Sequence, residues 1–197
     1  MSNWMPAPAN NGAAGAGDGT GAGATSTADT VATSADDTVT ATARPRIGDF
    51  LAVERVAVNL EVGSRKRLFE QFARMVSAQA GAPGLDDILA TLIKREKLGC
   101  TGVGRGIALP HGRLDGLESP VIAAARLKNA IDYDAPDGQA VWLAVCLLVP
   151  VDATSTHLNI LAALAASFSD SGFTAQLKSC DSAAALAACL GGIEVKP

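Results

Sequence analysis

The two histidines of this chain, His111 and His157, lie where side chains can do chemistry. His111 stands in the stretch GRGIALPHGR, directly after an apolar run closed by Pro110 and directly before Gly112. His157 is predicted in the first turn of a helix that follows a second apolar run. In α/β proteins, ligand sites tend to lie at the ends of strands. Both positions therefore favour a functional role for these residues over the role of a structural, hydrogen-bonded histidine.

A histidine that accepts and gives up a phosphoryl group needs few supporting groups. Neutral imidazole is nucleophilic, and its ordinary pKa of about 6.5 leaves much of it neutral in the cytoplasm. The second ring nitrogen needs a fixed acceptor, and cations or N–H donors must neutralise the phosphoryl oxygens. The helix terminus beside His157 would add backbone N–H groups. Arg95, Arg105 and Arg113 are candidate cations, although the pattern alone favours a solvated surface charge for each.

The glycine-rich stretch TGVGRGIA, residues 101–108, does not have the pattern of a nucleotide-binding loop. A dinucleotide fingerprint places Gly-x-Gly-x-x-Gly between a strand and a helix, whereas Ile107 and Leu109 occupy the third glycine position of the two possible registers. The glycines also precede the predicted strand, and no Gly-Lys-Ser/Thr ending of a P-loop follows. We expect a tight turn that keeps large side chains away from His111.

Composition argues against several other classes of function. The cysteines show neither a CxxC pair nor a disulfide spacing, which predicts small, mostly buried side chains and no zinc site: Cys100, Cys146, Cys180 and Cys189. The formal net charge is −4, so a basic surface for nucleic acid is not expected. No run approaches the roughly 20 apolar residues that cross a bilayer, and the first residues do not resemble a secretory signal. We therefore expect a cytoplasmic protein without a metal, a cofactor or a membrane-inserted segment.

A change of composition near residue 44 divides the chain. Residues 1–43 are mainly Gly, Ala, Thr, Asp and Ser without hydrophobic periodicity, so they cannot bury enough apolar surface to offset the entropy of ordering. We expect a disordered extension over 1–43 and one folded domain over 44–197. Hydrophobic residues make up 48% of the chain and aromatic residues only 4%, which predicts an aliphatic core.

Hydrophobic periodicity predicts helices before and after a run of strands, and so a single α/β sandwich domain. Short apolar or alternating runs predict strands, the last of them central in the sheet, over 55–60, 106–109, 121–127 and 141–149. Helical spacing and caps predict helices from Ser64 to about 80, from 85 to about 97, from a cap at Ser155 or Thr156 onward, and over 172–179 and 182–190.

The stretch REKLGCTGVGRGIALPHGR, from Arg95 to Arg113, closely resembles the signature of bacterial phosphotransferase system enzyme IIA domains of the mannitol/fructose type. It is most similar to the nitrogen-regulatory branch of that family. Three further segments match the same pattern: DAPDGQAV, LLVP and STHL. The resemblance covers about residues 47–190, and its clearest departure is Cys100, where the family usually has serine.

The resemblance implies a mixed β-sheet flanked by helices and one phosphorylatable histidine, which falls on His111. The second active-site histidine of the family falls on His157, and the motif arginine falls on Arg95. The phosphoryl group would come from a phosphohistidine carrier protein resembling HPr. In the nitrogen branch the phosphorylation state is itself the signal, read by targets such as potassium transporter or sensor kinase components.

Two other functions stay open on the sequence. A stand-alone IIA component of a sugar-transporting system would pass its phosphoryl group to a IIB domain. A binding module would instead recognise its partners without phosphorylation. Because no permease segment or second domain accompanies the module in this sequence, we expect a free-standing regulator. An enzyme acting on a nucleotide or another small molecule is disfavoured, since the motifs of such enzymes are missing.

Overall fold

The computed structural model describes residues 44–79 and 81–196, and the predicted disordered extension over 1–43 lies outside the described residues. The strands are β1 (Leu51–Leu60), β2 (Gly102–Gly104), β3 (Ile107–Ala108), β4 (His111–Arg113), β5 (Val121–Ile131) and β6 (Val141–Val149). The helices are α1 (Arg65–Ser77), α2 (Leu85–Lys97), α3 (Thr154–Ser169), α4 (Ser171–Ser179) and α5 (Ala183–Gly191), and a short 3₁₀ turn, Ile47–Asp49, precedes β1.

Local sequence explains the two helices that lead into the glycine-rich stretch. Ser64 caps α1, since its Oγ accepts a hydrogen bond from the backbone N–H of Arg67 at 3.3 Å, as predicted. Helix α2 has Asp86 and Asp87 in its first turn and three cations in its last turn, which suits the helix dipole at both ends. The end of α2 therefore presents positive charge next to the segment that leads to His111.

Strand β6 lies inside a mixed sheet that has six strands in the described part of the chain, as its unbroken apolar sequence predicts. Among the described residues the strand order is β1-β5-β6-β3-β2, and β4 also pairs with β6. Strand β5 runs antiparallel to β6, whereas β3 and β4 both run parallel to it. Two short strands thus share one edge of β6, with Pro110 near the break between them. His111 begins the second of these strands and lies opposite Leu147.

Helices cover both faces of the sheet, which confirms the predicted α/β sandwich. Helices α1 and α2 pack on one face and α3, α4 and α5 on the other, and alternate side chains of β6 enter the two cores. Leu143, Val145 and Leu147 contact the three-helix side, while Ala144 and Cys146 contact the two-helix side. None of the helices in the described part of the chain is long and apolar enough to span a membrane.

Several predicted boundaries were wrong, and two short strands were missed. Strand β1 begins at Leu51 instead of 55, and β5 continues to Ile131 instead of 127. Strands β2 and β4 were not predicted, because three residues containing glycine are too few to show alternation. The predicted cap at Ser155 or Thr156 was also wrong: α3 begins after Ala153, which makes no side-chain cap hydrogen bond.

The two ends of the described chain pair with each other. The backbone N–H of Ile47 donates to the carbonyl of Ile193 at 2.9 Å, and that of Val195 donates to the carbonyl of Pro45 at 2.8 Å. Between these hydrogen bonds, Arg46 and Glu194 form an antiparallel bridge. The segments that lead into and out of the sandwich therefore lie side by side.

Candidate functional site

The glycine-rich stretch folds as the predicted tight turn, a β2–β3 hairpin. Arg105 and Gly106 take positive φ angles of 56° and 72° at its tip. A Cβ atom on Gly106 would lie 2.4 Å from the ring of Trp142, so this position accepts only glycine without rearrangement. After the hairpin, the chain continues along the edge of β6 through Leu109 and Pro110 to His111.

Gly112 brings the strand of His111 against helix α2. A Cβ atom at Gly112 would lie 2.4 Å from the methyl group of Thr91, which is closer than real carbon contacts allow. The glycine therefore lets β4 contact the helix that carries Arg95. This close approach is what brings the arginine within hydrogen-bond distance of the histidine.

Two hydrogen bonds orient the half-buried imidazole of His111. Its Nε2 lies 2.9 Å from Nε of Arg95, and its Nδ1 lies 2.7 Å from the carbonyl oxygen of Leu109. Because the guanidinium N–H can only donate, Nε2 is the acceptor and Nδ1 carries the proton. The side chain is thus held in the tautomer whose Nε2 lone pair faces the end of α2.

The surroundings of His111 favour its neutral form. Burial lowers its pKa below the ordinary value, and the positive charge of Arg95 lowers it further. The hydrogen bond to the carbonyl of Leu109 and the negative charge of Glu96 oppose this shift without cancelling it. At neutral pH the imidazole is therefore mainly unprotonated at Nε2 and nucleophilic.

His157 lies against His111 in the first turn of α3. The two ring centroids are 5.3 Å apart, with the ring planes inclined at 61°. His157 is only 8% exposed, and neither of its ring nitrogens has a hydrogen-bond partner among the described residues. Burial is the main cause that lowers the pKa of His157 to about 4, and electrostatic repulsion from His111, Arg113 and Arg95 contributes to the same shift. It is a neutral side chain at pH 7 with an N–H group to donate.

The histidines line a surface concavity of about 360 Å³ whose charged lining is entirely cationic. Lys94, Arg95 and Arg113 contribute to it, and no carboxylate is among the described residues that line it. The predicted constellation of Arg95, His111 and His157 is therefore brought together. Of the other candidate cations, Arg113 reaches the concavity but Arg105 does not, because its guanidinium donates to the carbonyl of Ser169.

A hydrogen-bonded carboxylate behind Arg95 is the part of the site that the sequence patterns missed. The Glu96 side chain is 8% exposed and accepts hydrogen bonds from Arg65 at 3.1 Å and from both the backbone N–H and the hydroxyl of Thr101. The Thr101 hydroxyl also lies 3.0 Å from the hydroxyl of the buried Tyr133. This network, Arg65–Glu96–Thr101–Tyr133, joins the end of α2 to the start of the hairpin. The sequence did not indicate this network, because Arg65 and Tyr133 are distant from Glu96 along the chain and Thr101 belongs to the glycine-rich stretch.

Two leucines beside the concavity are left in solvent. Leu98, which lines the concavity, is 80% exposed, and Leu158, next to His157, is 59% exposed. Large apolar side chains with this exposure are typical of protein-binding surfaces when they group around a functional site. The arrangement offers a nucleophilic nitrogen, a set of cations and an open, partly apolar rim.

Comparison with known proteins identifies the family. Residues 49–191 match the family "Phosphoenolpyruvate-dependent sugar phosphotransferase system, EIIA 2". A nitrogen regulatory protein of Pseudomonas aeruginosa is 41% identical over 141 residues, which cover 72% of this chain and 92% of that protein. The crystal structure of nitrogen regulatory protein IIA-Ntr from Neisseria meningitidis is 39% identical, with a TM-score of 0.70 over 73% of this chain and 98% of that one.

A more distant structure shares the fold alone. The IIA mannitol protein of Escherichia coli is 15% identical, with a TM-score of 0.60 over 71% of this chain and 97% of that chain. The family match covers nearly the whole sandwich and includes Arg95, His111 and His157. The chain therefore belongs to the EIIA type 2 family of the phosphoenolpyruvate-dependent phosphotransferase system.

Proposed function

We propose that this protein carries a phosphoryl group on Nε2 of His111, received from an HPr-like phosphocarrier protein. The observation that supports this most directly is the pair of hydrogen bonds on the imidazole ring. The carbonyl of Leu109 fixes the proton on Nδ1, and Arg95 donates to Nε2 from the side of the cationic concavity. A nucleophilic nitrogen oriented toward cations is what phosphoryl transfer requires of a protein.

The transfer itself is a displacement at phosphorus. The Nε2 lone pair of His111 attacks the phosphorus atom of the donor's phosphohistidine, the new N–P bond forms, and the donor imidazole leaves with the electron pair of the broken N–P bond. The Nδ1 proton of His111 stays hydrogen-bonded to Leu109 throughout. Arg95 gives up its hydrogen bond to Nε2 and donates to a phosphoryl oxygen instead, so its positive charge stays next to the negative charge of the bound phosphoryl group.

His157 has the role of a neutral hydrogen-bond donor in this proposal. Its pKa of about 4 keeps it uncharged at neutral pH, and its ring nitrogens are buried without a partner among the described residues. A phosphoryl oxygen on His111 would provide that missing acceptor, because the rings lie 5.3 Å apart. Lys94 and Arg113 would add positive charge at the rim.

We propose that phosphorylation of His111 acts as a signal, as the resemblance to the nitrogen-regulatory branch implies, and the similarity to proteins named nitrogen regulatory supports this role. The readers of this state would be cytoplasmic faces of regulatory targets, such as components of potassium transporters or sensor kinases. The exposed Leu98 and Leu158 give donor and target an apolar surface close to the phosphorylated ring. The functional domain would span residues 44–197, because the paired segments around Arg46 and Glu194 extend the sandwich beyond the family match.

The test is phosphorylation of the purified full chain by an HPr-like carrier charged through phosphoenolpyruvate. The wild-type protein should gain about 80 Da in intact mass, and the label should be lost in acid, as expected for phosphohistidine. His111→Ala should remove the label entirely. His157→Ala serves as the matched control, since it keeps the acceptor and should still be labelled, at a lower rate. Full labelling of His111→Ala would refute the assignment.

A sugar-transport role is the second candidate, because the family description itself names a sugar phosphotransferase system. In that case the phosphoryl group would continue from His111 to a IIB domain. Incubating the labelled protein with purified IIB domains distinguishes the two roles. Rapid loss of the label to one IIB domain supports sugar transport, and persistence of the label with all of them supports signalling.

A further inference from the structure

Two of the four cysteines lie in contact on the three-helix side of the sheet, and neither of them lines the histidine concavity. The Sγ atoms of Cys180 and Cys189 are 3.5 Å apart. Cys180 is the residue that ends α4, and Cys189 lies in the last turns of α5. The sequence predicts only isolated small side chains here, because the nine-residue separation does not match a known disulfide spacing.

From this contact we infer that Cys180 and Cys189 form a reversible intramolecular disulfide when the protein meets a peroxide. A disulfide requires the sulfur atoms to approach to about 2.05 Å, which is about 1.5 Å closer than they are as thiols. Cys180 can make that movement, because it lies at the helix end in an extended conformation, with φ −64° and ψ 119°, beyond the regular helical hydrogen bonds. The inference is independent of the phosphoryl chemistry proposed above.

The two thiols differ in access, and this difference assigns their roles. Cys180 is buried at 6% exposure, whereas Cys189 is half-buried and can be reached from solvent. Cys189 is therefore the thiol that meets the oxidant, and Cys180 is the thiol that completes the bond. Burial raises the pKa of Cys180 to about 11, with a smaller contribution from Cys189, so Cys180 stays protonated until it reacts.

Charged groups of both signs lie close to Cys180. The guanidinium of Arg126 is held nearby by hydrogen bonds to the carbonyl of Lys178 at 3.4 Å and to Oδ1 of Asn59 at 3.3 Å. Its positive charge lowers the pKa of Cys180 and so partly offsets burial, while the adjacent carboxylate of Asp181 raises it. Because burial outweighs the charge of Arg126, the pKa of Cys180 stays raised, which agrees with its assignment as the second thiol to react.

The reaction balances with hydrogen peroxide as the oxidant. The Cys189 thiol gives up its proton as its sulfur attacks one peroxide oxygen, the O–O bond breaks, and the departing hydroxide takes up that proton to leave as water. The resulting Cys189 sulfenic acid is then attacked by Cys180 sulfur, its S–O bond breaks, and a second water leaves with the Cys180 proton. Two thiols and one peroxide thus give one disulfide and two waters, and a dithiol reductant reverses the result.

The test exposes the purified full-length protein to hydrogen peroxide, alkylates the remaining thiols after denaturation, and measures intact mass and peptide maps. We expect two alkylated cysteines, Cys100 and Cys146, and a linked peptide pair containing Cys180 and Cys189. Non-reducing electrophoresis should show a monomer, and the melting temperature should rise by roughly 5 °C and fall again on reduction. Four alkylated cysteines, or a crosslink between chains, would overturn the inference.

Single substitutions test the assigned roles. In Cys180→Ala, peroxide should leave a sulfenic acid on Cys189 that dimedone traps, because the second thiol is missing. In Cys189→Ala, Cys180 should remain unmodified under the same conditions. Neither substitution introduces a steric clash, because alanine is smaller than cysteine, and neither position lines the histidine concavity. Dimedone labelling of Cys180 in the second variant, with none on Cys189 in the first, would contradict the mechanism.

Discussion

Replacing Glu96 by glutamine should destabilise the domain more than the loss of one ordinary hydrogen bond. The Glu96 carboxylate is 8% exposed and receives N–H and O–H donors from Arg65 and Thr101 on its two oxygens. Glutamine keeps the shape but turns one oxygen into an NH₂ group, which then faces a donor. A lost hydrogen bond to a charged group costs about 1.5–3 kcal/mol, and breaking a buried ion pair costs about 3–5 kcal/mol. We expect a loss of about 3 kcal/mol in the free energy of unfolding.

Thermal and urea unfolding of Glu96→Gln measure this loss, and Glu70→Gln is the matched control. Glu70 pairs with Arg67 along α1 at 2.8 Å, and although the Glu70 side chain is 18% exposed, its partner Arg67 is 70% exposed, so the pair contributes about 1 kcal/mol or less. For a domain of this size the two variants should differ by roughly 5–10 °C in melting temperature. Equal melting temperatures would show that the Glu96 network does not stabilise the fold.

A double-mutant cycle identifies the partner that matters. Thr101→Val removes the hydroxyl that donates to Glu96, so its effect should overlap with that of Glu96→Gln. The combined variant should be more stable than the sum of the single losses predicts, by about 1 kcal/mol. If the two losses in the free energy of unfolding were strictly additive, the hydroxyl and the carboxylate would stabilise the fold separately and not as one network.

Three further predictions concern the histidine site. The folded pKa of His157, about 4, lies below its unfolded value, so the stability it contributes is complete above pH 6.5 and is lost as the pH falls toward 4. Between pH 7 and 4.5 the free energy of unfolding should therefore fall by about 2 kcal/mol more in the wild-type protein than in His157→Gln. Urea unfolding at the two pH values measures this difference, and equal losses in the two proteins would contradict it. Gly112→Ala should lower the free energy of unfolding by about 1–3 kcal/mol, because the added Cβ atom would clash with α2. The control Gly63→Ala, whose Cβ atom would contact nothing within 4 Å, should change the stability little. Similar losses in thermal unfolding of the two variants would refute the close approach. Arg95→Gln removes a positive charge that lowers the pKa of His111, so this pKa should rise in an NMR titration, whereas Arg95→Lys keeps the charge and should not raise it. A lowered or unchanged pKa in Arg95→Gln would contradict the prediction.

The long, periodic parts of the fold could be predicted from the sequence. Helices α1 and α2 carry apolar residues at helical spacing over several turns, and β6 is apolar from end to end. Such signals accumulate over many residues, so they survive local exceptions. The family motif likewise placed Arg95, His111 and His157 in one site before any geometry was known, and the structure brings the three together.

The short strands and the hydrogen bonds within the site could not be predicted from the sequence. Strand β4 exists because β6 offers it a free edge and Gly112 lets it approach α2, and both causes are tertiary. Glu96 follows Arg95 directly, yet neighbouring residues of a helix point about 100° apart, so one reaches His111 and the other reaches Thr101. Arg105 was a reasonable candidate cation by spacing, but the positive φ of the hairpin tip directs its side chain to Ser169.

The pairing of the domain's own ends has a practical consequence for engineering. Because Pro45 and Val195 are joined by a backbone hydrogen bond of 2.8 Å, the whole sandwich can be spliced into a surface loop of a host protein with almost no gap between the splice points. A short linker between the same two residues would give a circularly permuted domain, with new termini in the exposed loop around Gly116. Insertion through the Pro45/Val195 junction leaves β4 and β6 uncut, whereas a cut near Gly116 lies three residues after β4, so the first format is the one that preserves the histidine site.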